Sequence, residues 1–354
     1  MLDSLPPSVL RIATFNVENL GKPIVPGAPL AERIRLLRPQ LLRLRADVLC
    51  LQEVDSERPR GGGARRLSAL DTLLAGTVYE GFHRASTLSR SKGGFRDKHN
   101  LVVLSRSPIA EQRQILHDLV APPLHRSIVA EGAQGDETRE AAPVEWDRPI
   151  LHAAVRLNDG PLLHVVNVHL RAPRAAFVTG QKADAQTWRN MSGWAEGFFL
   201  AAVKRAGQAL EVRLLVDRLF DADPDALIVV CGDFNADVHE VPVRTIRGDE
   251  EDAGNPHLAA RTLVPVERSL ADSRRFSVVH HGRPQMLDHL LVSRPLLAWY
   301  RSVEIHNEAL GDELVTSHAV RGSPESFHAP VVAEFGAPEA TADEQAKSQF
   351  GDAE

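Results

Sequence analysis

Short apolar runs rich in β-favouring residues recur from one end of this chain to the other: Val9 to Phe15, Val48 to Leu51, Leu101 to Leu104, Ile150 to Leu157, Leu162 to Val168, Ala226 to Val230, Met286 to Val292 and Val331 to Phe335. Runs this short, bounded by turn residues, read as strands of a buried sheet. Between two of them stands Asn158-Asp159-Gly160-Pro161, and Asp-Gly flanked by apolar runs predicts a hairpin, so Ile150 to Val168 should be an antiparallel pair. The sheets are therefore expected to be at least partly antiparallel.

Helical patterns are fewer. Leu30, Ile34, Leu37, Leu41 and Leu44 recur at steps of four and three with arginines on the other face, predicting an amphipathic helix that leads into the strand at Val48. Pro39 should kink it or mark a restart. A longer helix is expected from about Trp188 to Phe220, covering one face of a sheet. Glu131 to Pro143 and Arg247 to Asn255 are polar and read as surface insertions, the second as a solvated loop. The tail from Ala337 to Glu354 has little to bury and is expected to be disordered. No internal repeat is present, so residues 1–336 are read as one domain followed by a tail.

With 354 residues, 43% of them hydrophobic, the chain can bury a large core. A net charge of −6 implies no whole-protein attraction to nucleic acid or anionic membrane, so a polyanion must be held by a local site. Cys50 and Cys231 each sit in an apolar run and read as small buried hydrophobes, which excludes a disulfide framework or zinc knuckle. No run approaches the ~20 apolar residues of a membrane span. A cytoplasmic location without a protein partner is the default expectation.

The strand-like runs end in polar clusters suited to metal or phosphate: Asn16 with Glu18, Glu53, His169, Asp233 with Asn235, and Asp288 with His328. Residues just past strand ends are rigidly positioned yet exposed, as ligand-binding groups need to be. Singly, each has a plainer reading, since Glu53 and Asp233 could cap turns and the histidines could be core or surface residues. Their repetition is the signal. P-loop, zinc-protease and Cys-x-x-Cys patterns are all missing.

Taken in order, Ala13-Thr14-Phe15-Asn16-Val17-Glu18-Asn19, Leu51-Gln52-Glu53-Val54, Asn167-Val168-His169-Leu170, Gly232-Asp233-Phe234-Asn235, Leu287-Asp288-His289-Leu290-Leu291-Val292-Ser293 and Ser326-Phe327-His328-Ala329-Pro330-Val331 resemble the motif set of the endonuclease/exonuclease/phosphatase superfamily, with its deoxyribonuclease I-like fold. Asn100-Leu101-Val102-Val103-Leu104-Ser105-Arg106-Ser107-Pro108-Ile109 adds to the resemblance, which spans about residues 9 to 335. It implies an α+β fold, a two-layer β-sandwich of mixed sheets flanked by helices. It also implies a Mg²⁺ or Mn²⁺ ion on Glu53 with Asn16 as ligand or water holder. Asp233 would activate water, Asn235 would bind phosphate or position Asp233, His169 would donate to developing charge, and His328 would contact the phosphate with Asp288 behind it. Asn100 and Arg171 are further substrate-binding candidates.

One departure stands in the last motif, where Phe327 occupies the position of the usual Asp. Phe cannot bind a metal, so a two-metal arrangement is not expected. Glu18, two residues beyond Asn16 on a strand, could compensate by sharing its face, or could make a salt bridge or turn contact instead.

Basic residues collect in segments expected to rim the site: Arg58, Arg60, Arg65, Arg66, Arg84, Arg90, Lys92, Arg96, Lys98, Arg171 and Arg174. Such groups could follow a phosphate backbone, or be ordinary solvated loops. Two Tyr and four Trp offer no obvious row for stacking bases. Phosphodiester hydrolysis of a nuclease-like kind is the first reading. A phosphomonoesterase acting on a small-molecule or lipid-derived phosphate is the second, and a catalytically degenerate binding protein of the same fold the third.

Overall fold

In the computed structural model, which describes residues 9–21, 28–90, 94–128, 140–157, 160–312 and 325–336, the apolar runs build two six-stranded sheets. The first has the order Tyr300–Ile305, Val331–Phe335, Leu10–Leu20, Val48–Val54, Asn100–Ser105, His83–Ser86. The second runs Val264–Pro265, Asp288–Val292, Leu227–Asp233, Leu162–His169, Ile150–Arg156, Ile109–Ile115. Each sheet is mixed and has one parallel pair at its centre: Leu10–Leu20 beside Val48–Val54, and Leu162–His169 beside Leu227–Asp233. The remaining neighbours are antiparallel, including Ile150–Arg156 with Leu162–His169 as the Asp-Gly signal predicts. Asn158 and Asp159 of that turn lie outside the described residues.

The central strands are buried on both faces, which is why their sequences are continuous apolar runs instead of alternating ones. Side chains alternate at period two. Ile12, Val48, Cys50, Val165, Val229 and Cys231 fill the layer between the sheets. Ala13, Phe15, Leu49 and Leu51 turn outward to meet Leu37, Leu41, Leu44 and Leu70 of helices Leu30–Leu44 and Ser68–Leu74. On the opposite side, Val166, Val168, Ile228 and Val230 meet Val212, Leu215, Val216 and Phe220 of helix Met191–Ala222. The result is the α/β/β/α sandwich expected. Both cysteines are free and buried in its middle layer, where burial, with Cys231 alongside, pushes the Cys50 thiol well up.

Some local expectations are revised. The helix Leu30–Leu44 runs through Pro39 unbroken; Pro39 and Arg35, whose carbonyl loses its donor, are both exposed, so water can replace that bond. The long helix starts at Met191, capped by the Asn190 side chain, which accepts the Gly193 N–H at 2.6 Å. Arg247 to Asn255 contains a short exposed helix, Glu250–Ala253, capped by Asp249. Of the other polar stretch, Ala142–Pro143 pairs with Leu124–His125, while residues 131–139, like the tail 337–354, lie outside the described residues. Among the described residues no helix is long and apolar enough to cross a membrane.

Two features bring the site together. The parallel pairs end at the same edge of the sandwich, and Gln52 Nε2 bonds Asn167 Oδ1 across the two sheets at 2.7 Å just beneath it. Asn167 Nδ2 in turn donates to the carbonyls of Leu51 and Val102. Beside this clamp Gly232 has φ +138°, and a Cβ there would lie 1.9 Å from the Val168 carbonyl oxygen. Only glycine lets the strand carrying Asp233 approach the strand carrying His169 so closely.

Candidate active site

Asp233, at the end of its strand and buried, is the centre of the cluster. Its Oδ2 accepts from Asn16 Nδ2 of the opposite sheet at 3.1 Å and from Asn235 Nδ2 at 3.0 Å, and His169 Nε2 stands 3.2 Å away. Oδ1 accepts the Asn235 backbone N–H at 2.8 Å. Burial alone would raise this carboxyl, but the charge on His328 and the bond and charge of His169 hold it well below the usual carboxylate range. It is a carboxylate kept ionised by its surroundings.

Asp288, at the start of its strand and fully buried, accepts from His328 Nδ1 at 2.8 Å. Burial would lower His328, yet the carboxylates of Asp288 and Asp233 raise it well above the ordinary histidine value, so it is an imidazolium at neutral pH. Burial also raises Asp288. The loop that presents His328 is tied down at three points: Ser326 Oγ donates to the Asn16 carbonyl, the His328 N–H donates to Ser326 Oγ, and the Phe327 N–H donates to Glu18 Oε2 at 3.0 Å.

That last bond is what Glu18 does here. The strand alternation that would put it on the face of Asn16 is interrupted by an irregularity between Asn16 and Leu20, where Glu18 and Asn19 adopt left-handed backbone (φ 49° and 52°). Asn16 Oδ1 accepts the Glu18 N–H at 2.9 Å, closing the bulge. Burial raises the Glu18 carboxyl, with the Phe327 N–H and His328 opposing.

Glu53 projects from a second irregularity, between Leu51 and Val54, with φ 59°. Its Oε2 accepts the Asn19 N–H at 3.0 Å; its Oε1 faces His99 Nδ1 at 3.7 Å and His169 Nε2 at 3.6 Å. Burial would raise it, but His169, His99 and Arg148 lower it. His99 is pushed down to about 4 by burial, despite the pull of Glu53. Glu53, His99 and His169 make one group able to hold a metal ion, and Asp233, Asp288 and His328 make another. An ionised carboxylate oxygen with no hydrogen-bond donor among the described residues, next to two ring nitrogens, is a donor set that fits a divalent ion.

Asn16, Glu53, His169, Asp233, Asn235, Asp288 and His328 therefore converge. Asn100 does not join them: it is buried, its Nδ2 donates to the Val54 and Arg96 carbonyls, and its Oδ1 accepts the Arg96 N–H, so it holds the loop before its strand. Arg171 does face the site. With Arg58, Arg65, Arg96, Lys98 and Arg148 it lines a groove of about 810 Å³ that His99 also borders. Arg84 instead pairs with Asp71, and Lys92 lies outside the described residues.

His99 and Arg148 escape the sequence reading. Both precede strands in irregular segments, and their places are set by distant contacts. Gln208 of the long helix accepts the Arg171 N–H and donates to the Arg148 carbonyl. Trp146 packs where a Cβ on Gly207 would stand 2.4 Å away, and its Nε1 donates to Glu211. An aromatic pair is also present where none was foreseen: Trp194 and Phe198 stack at 5.4 Å on the exposed side of the long helix. Farther along that helix, Arg205 donates to the Asn235 carbonyl at 2.5 Å.

The chain is thus a four-layer α/β/β/α sandwich with a carboxylate, amide and imidazole cluster at one sheet edge. The chain belongs to the Endonuclease/Exonuclease/phosphatase family, whose model matches residues 13–323. Truncated Caenorhabditis elegans TDP2 is similar in fold, with TM-score 0.52 and 14% identity over 93% of this chain and 98% of that one. Humanized D. rerio TDP2 gives 0.52 at 16% identity over 93% and 99%. An endonuclease/exonuclease/phosphatase from Beutenbergia cavernae gives 0.50 at 17% over 93% and 71%. No curated protein sequence matches the chain. At family level this is a phosphoesterase.

Proposed function

We propose that the chain hydrolyses a phosphodiester within an extended polyanion of the nucleic-acid type, using a divalent ion held on Glu53 with Asn16 beside it. The observation that carries this reading is the basic groove opening next to the catalytic cluster, because a phosphomonoester on a small molecule would not need a charged channel of about 810 Å³. When bound, Mg²⁺ or Mn²⁺ would supply charge against the phosphoryl oxygens and help the leaving oxygen depart.

The chain's own groups supply the remainder. Asp233, fixed by Asn16 and Asn235, takes a proton from the attacking water as its oxygen bonds phosphorus and the ester P–O bond breaks. The His328 imidazolium, oriented by Asp288, donates to a phosphoryl oxygen. His169 joins the Glu53 side to the Asp233 side. Arg148 and Arg171, which line the groove, bind phosphates without reading bases.

The test compares bis(p-nitrophenyl) phosphate, p-nitrophenyl phosphate and a DNA duplex, each with Mg²⁺, Mn²⁺ or EDTA, with Asp233→Asn as control. Metal-dependent diester and DNA cleavage that weakens with salt and disappears in the variant is expected. Cleavage of the monoester alone, or activity indifferent to salt, would overturn the polyanion reading.

A further inference from the structure

We propose that the Trp194–Phe198 face of the long helix is a stacking platform for unpaired nucleobases, so that a DNA or RNA strand is held most tightly where its bases are not already paired. The inference rests on the reading above, that the substrate is a polyanion of the nucleic-acid type, and specifies the form of that polyanion.

Helix Met191–Ala222 is longer than the sheet it covers. Val212, Val216 and Phe220 pack on the strands that end in His169 and Asp233, and Arg205 reaches the sheet edge, where it donates to the Asn235 carbonyl at 2.5 Å. At 1.5 Å per residue, the stretch from Arg205 back to Trp194 carries the helix roughly 16 Å past that edge. Val212, Ala209, Arg205, Ala202, Phe198 and Trp194 follow one another in steps of three and four, so they share one face. The stripe that is buried against the sheet at Val212 and Ala209 is therefore exposed at Ala202, Phe198 and Trp194, beside the site.

The two rings are ordered against each other, 5.4 Å apart and 21° from parallel, so each presents a flat face in a fixed attitude. Their surroundings suit a polyanion. From Met191 to Gly207 the only acid is Glu196, which is buried and bound to His125 and to the Ile128 N–H, whereas Lys204 and Arg205 are cationic. Gln208, just below Arg205 on the helix, accepts the Arg171 N–H and so ties the root of this arm to the basic groove. A nucleic-acid strand lying in the groove with a phosphate at Asp233 continues onto the platform. Aromatic faces stack on any base without reading sequence. In a duplex each base is already stacked on its neighbours and freeing one costs energy, so the platform selects unpaired bases.

Fluorescence anisotropy on the full chain in EDTA would compare a labelled single-stranded DNA, the same strand with abasic sites throughout, and its duplex. Trp194→Leu and Trp194→Phe, checked by melting curves, would be measured beside wild type. The base-bearing single strand should bind wild type roughly 5- to 150-fold more tightly than the abasic strand of equal charge. Trp194→Leu, which keeps apolar area but removes the ring, should lose most of that preference and leave duplex binding close to wild type, while Trp194→Phe should retain it. Equal affinity of wild type for base-bearing and abasic strands, with diesters and DNA still hydrolysed in Mg²⁺ or Mn²⁺, would overturn this inference alone, as would a preference that Trp194→Leu preserves. Adsorption to phosphatidylglycerol vesicles that Trp194→Leu abolishes, without any base preference, would assign the face to a membrane surface and overturn it too. Neither DNA binding nor diester hydrolysis would overturn the proposed function with it.

Discussion

Replacing Asp288 by Asn separates the charge of the His328 partner from its shape. Asp288 is fully buried and its Oδ2 lies 2.8 Å from His328 Nδ1, so Asn can keep an acceptor in place while removing the charge. A hydrogen bond to a charged group contributes ~1.5–3 kcal/mol, and at 1.36 kcal/mol per decade that amounts to a loss of roughly ten- to a hundredfold in kcat/KM at neutral pH. The pH profile carries the sharper information. His328 is raised in the folded protein, so its charged form and the stability it brings are fully present below the ordinary value of 6.5 and are lost as pH rises through the higher folded value. Wild type should therefore have its alkaline limb above 6.5, and the variant's limb should move down toward it. Asp233 and Glu53 are lowered, so their acid limb lies below the ordinary carboxylate range and should stay there. Diester hydrolysis across pH, with histidine NMR of His328, reads both effects. An alkaline limb that does not move, with a rate within about threefold of wild type, would refute the claim that Asp288 holds His328 charged.

Glu53→Gln should lower divalent-ion affinity and turnover together, by at least the roughly 10–100-fold of a lost outer partner, and calorimetry showing normal affinity would remove Glu53 from the ion site. Gly232→Ala should destabilise the fold by more than the ~1–3 kcal/mol of a disfavoured backbone conformation, because its Cβ would meet the Val168 carbonyl oxygen at 1.9 Å; an unchanged urea midpoint would contradict that contact. Lys98→Gln should weaken DNA binding uniformly across sequences and reduce the salt slope by about one, and a slope equal to wild type would take Lys98 out of the groove.

The sequence made the centre of the site legible because its members stand where rigid strands stop. Asn16, Glu53, His169 and Asp233 each end an apolar run, and two parallel pairs pointing the same way bring those ends to one edge. The same logic leaves Glu18 open between the face of Asn16 and a local contact, and the first fails because period-two alternation breaks at a bulge whose cause, the Asn16 side chain accepting the Glu18 N–H, is not visible in hydrophobic pattern. Arg148 and His99 lie in segments without periodicity, and their positions come from contacts far apart in sequence, such as Gln208 with the Arg148 carbonyl. The sheet order has the same origin: Val264–Pro265 is too short to announce itself as a strand.

Backbone strain marks the rim of the candidate site independently of its side chains. Glu18, Asn19, Glu53, His99 and Asn235 all have φ between 48° and 59°, and all stand within or beside the cluster. A left-handed residue with a Cβ costs roughly 1–2 kcal/mol, so so many in one place persist only because packing and hydrogen bonds over-determine them. Asn19 tests the idea cleanly, because its backbone N–H serves Glu53 and its carbonyl accepts from Arg33. Asn tolerates the left-handed region better than Ala does, and Gly adopts it without strain. Asn19→Ala should lower stability by about 1 kcal/mol and loosen Glu53, raising the ion concentration needed for turnover. Asn19→Gly, which adopts the left-handed region without strain, should leave both closer to wild type than Asn19→Ala does. If Ala and Gly lose stability and ion affinity equally in urea melts and ion titrations, the side chain of Asn19 matters and its conformation does not; if neither differs from wild type, the strain argument fails.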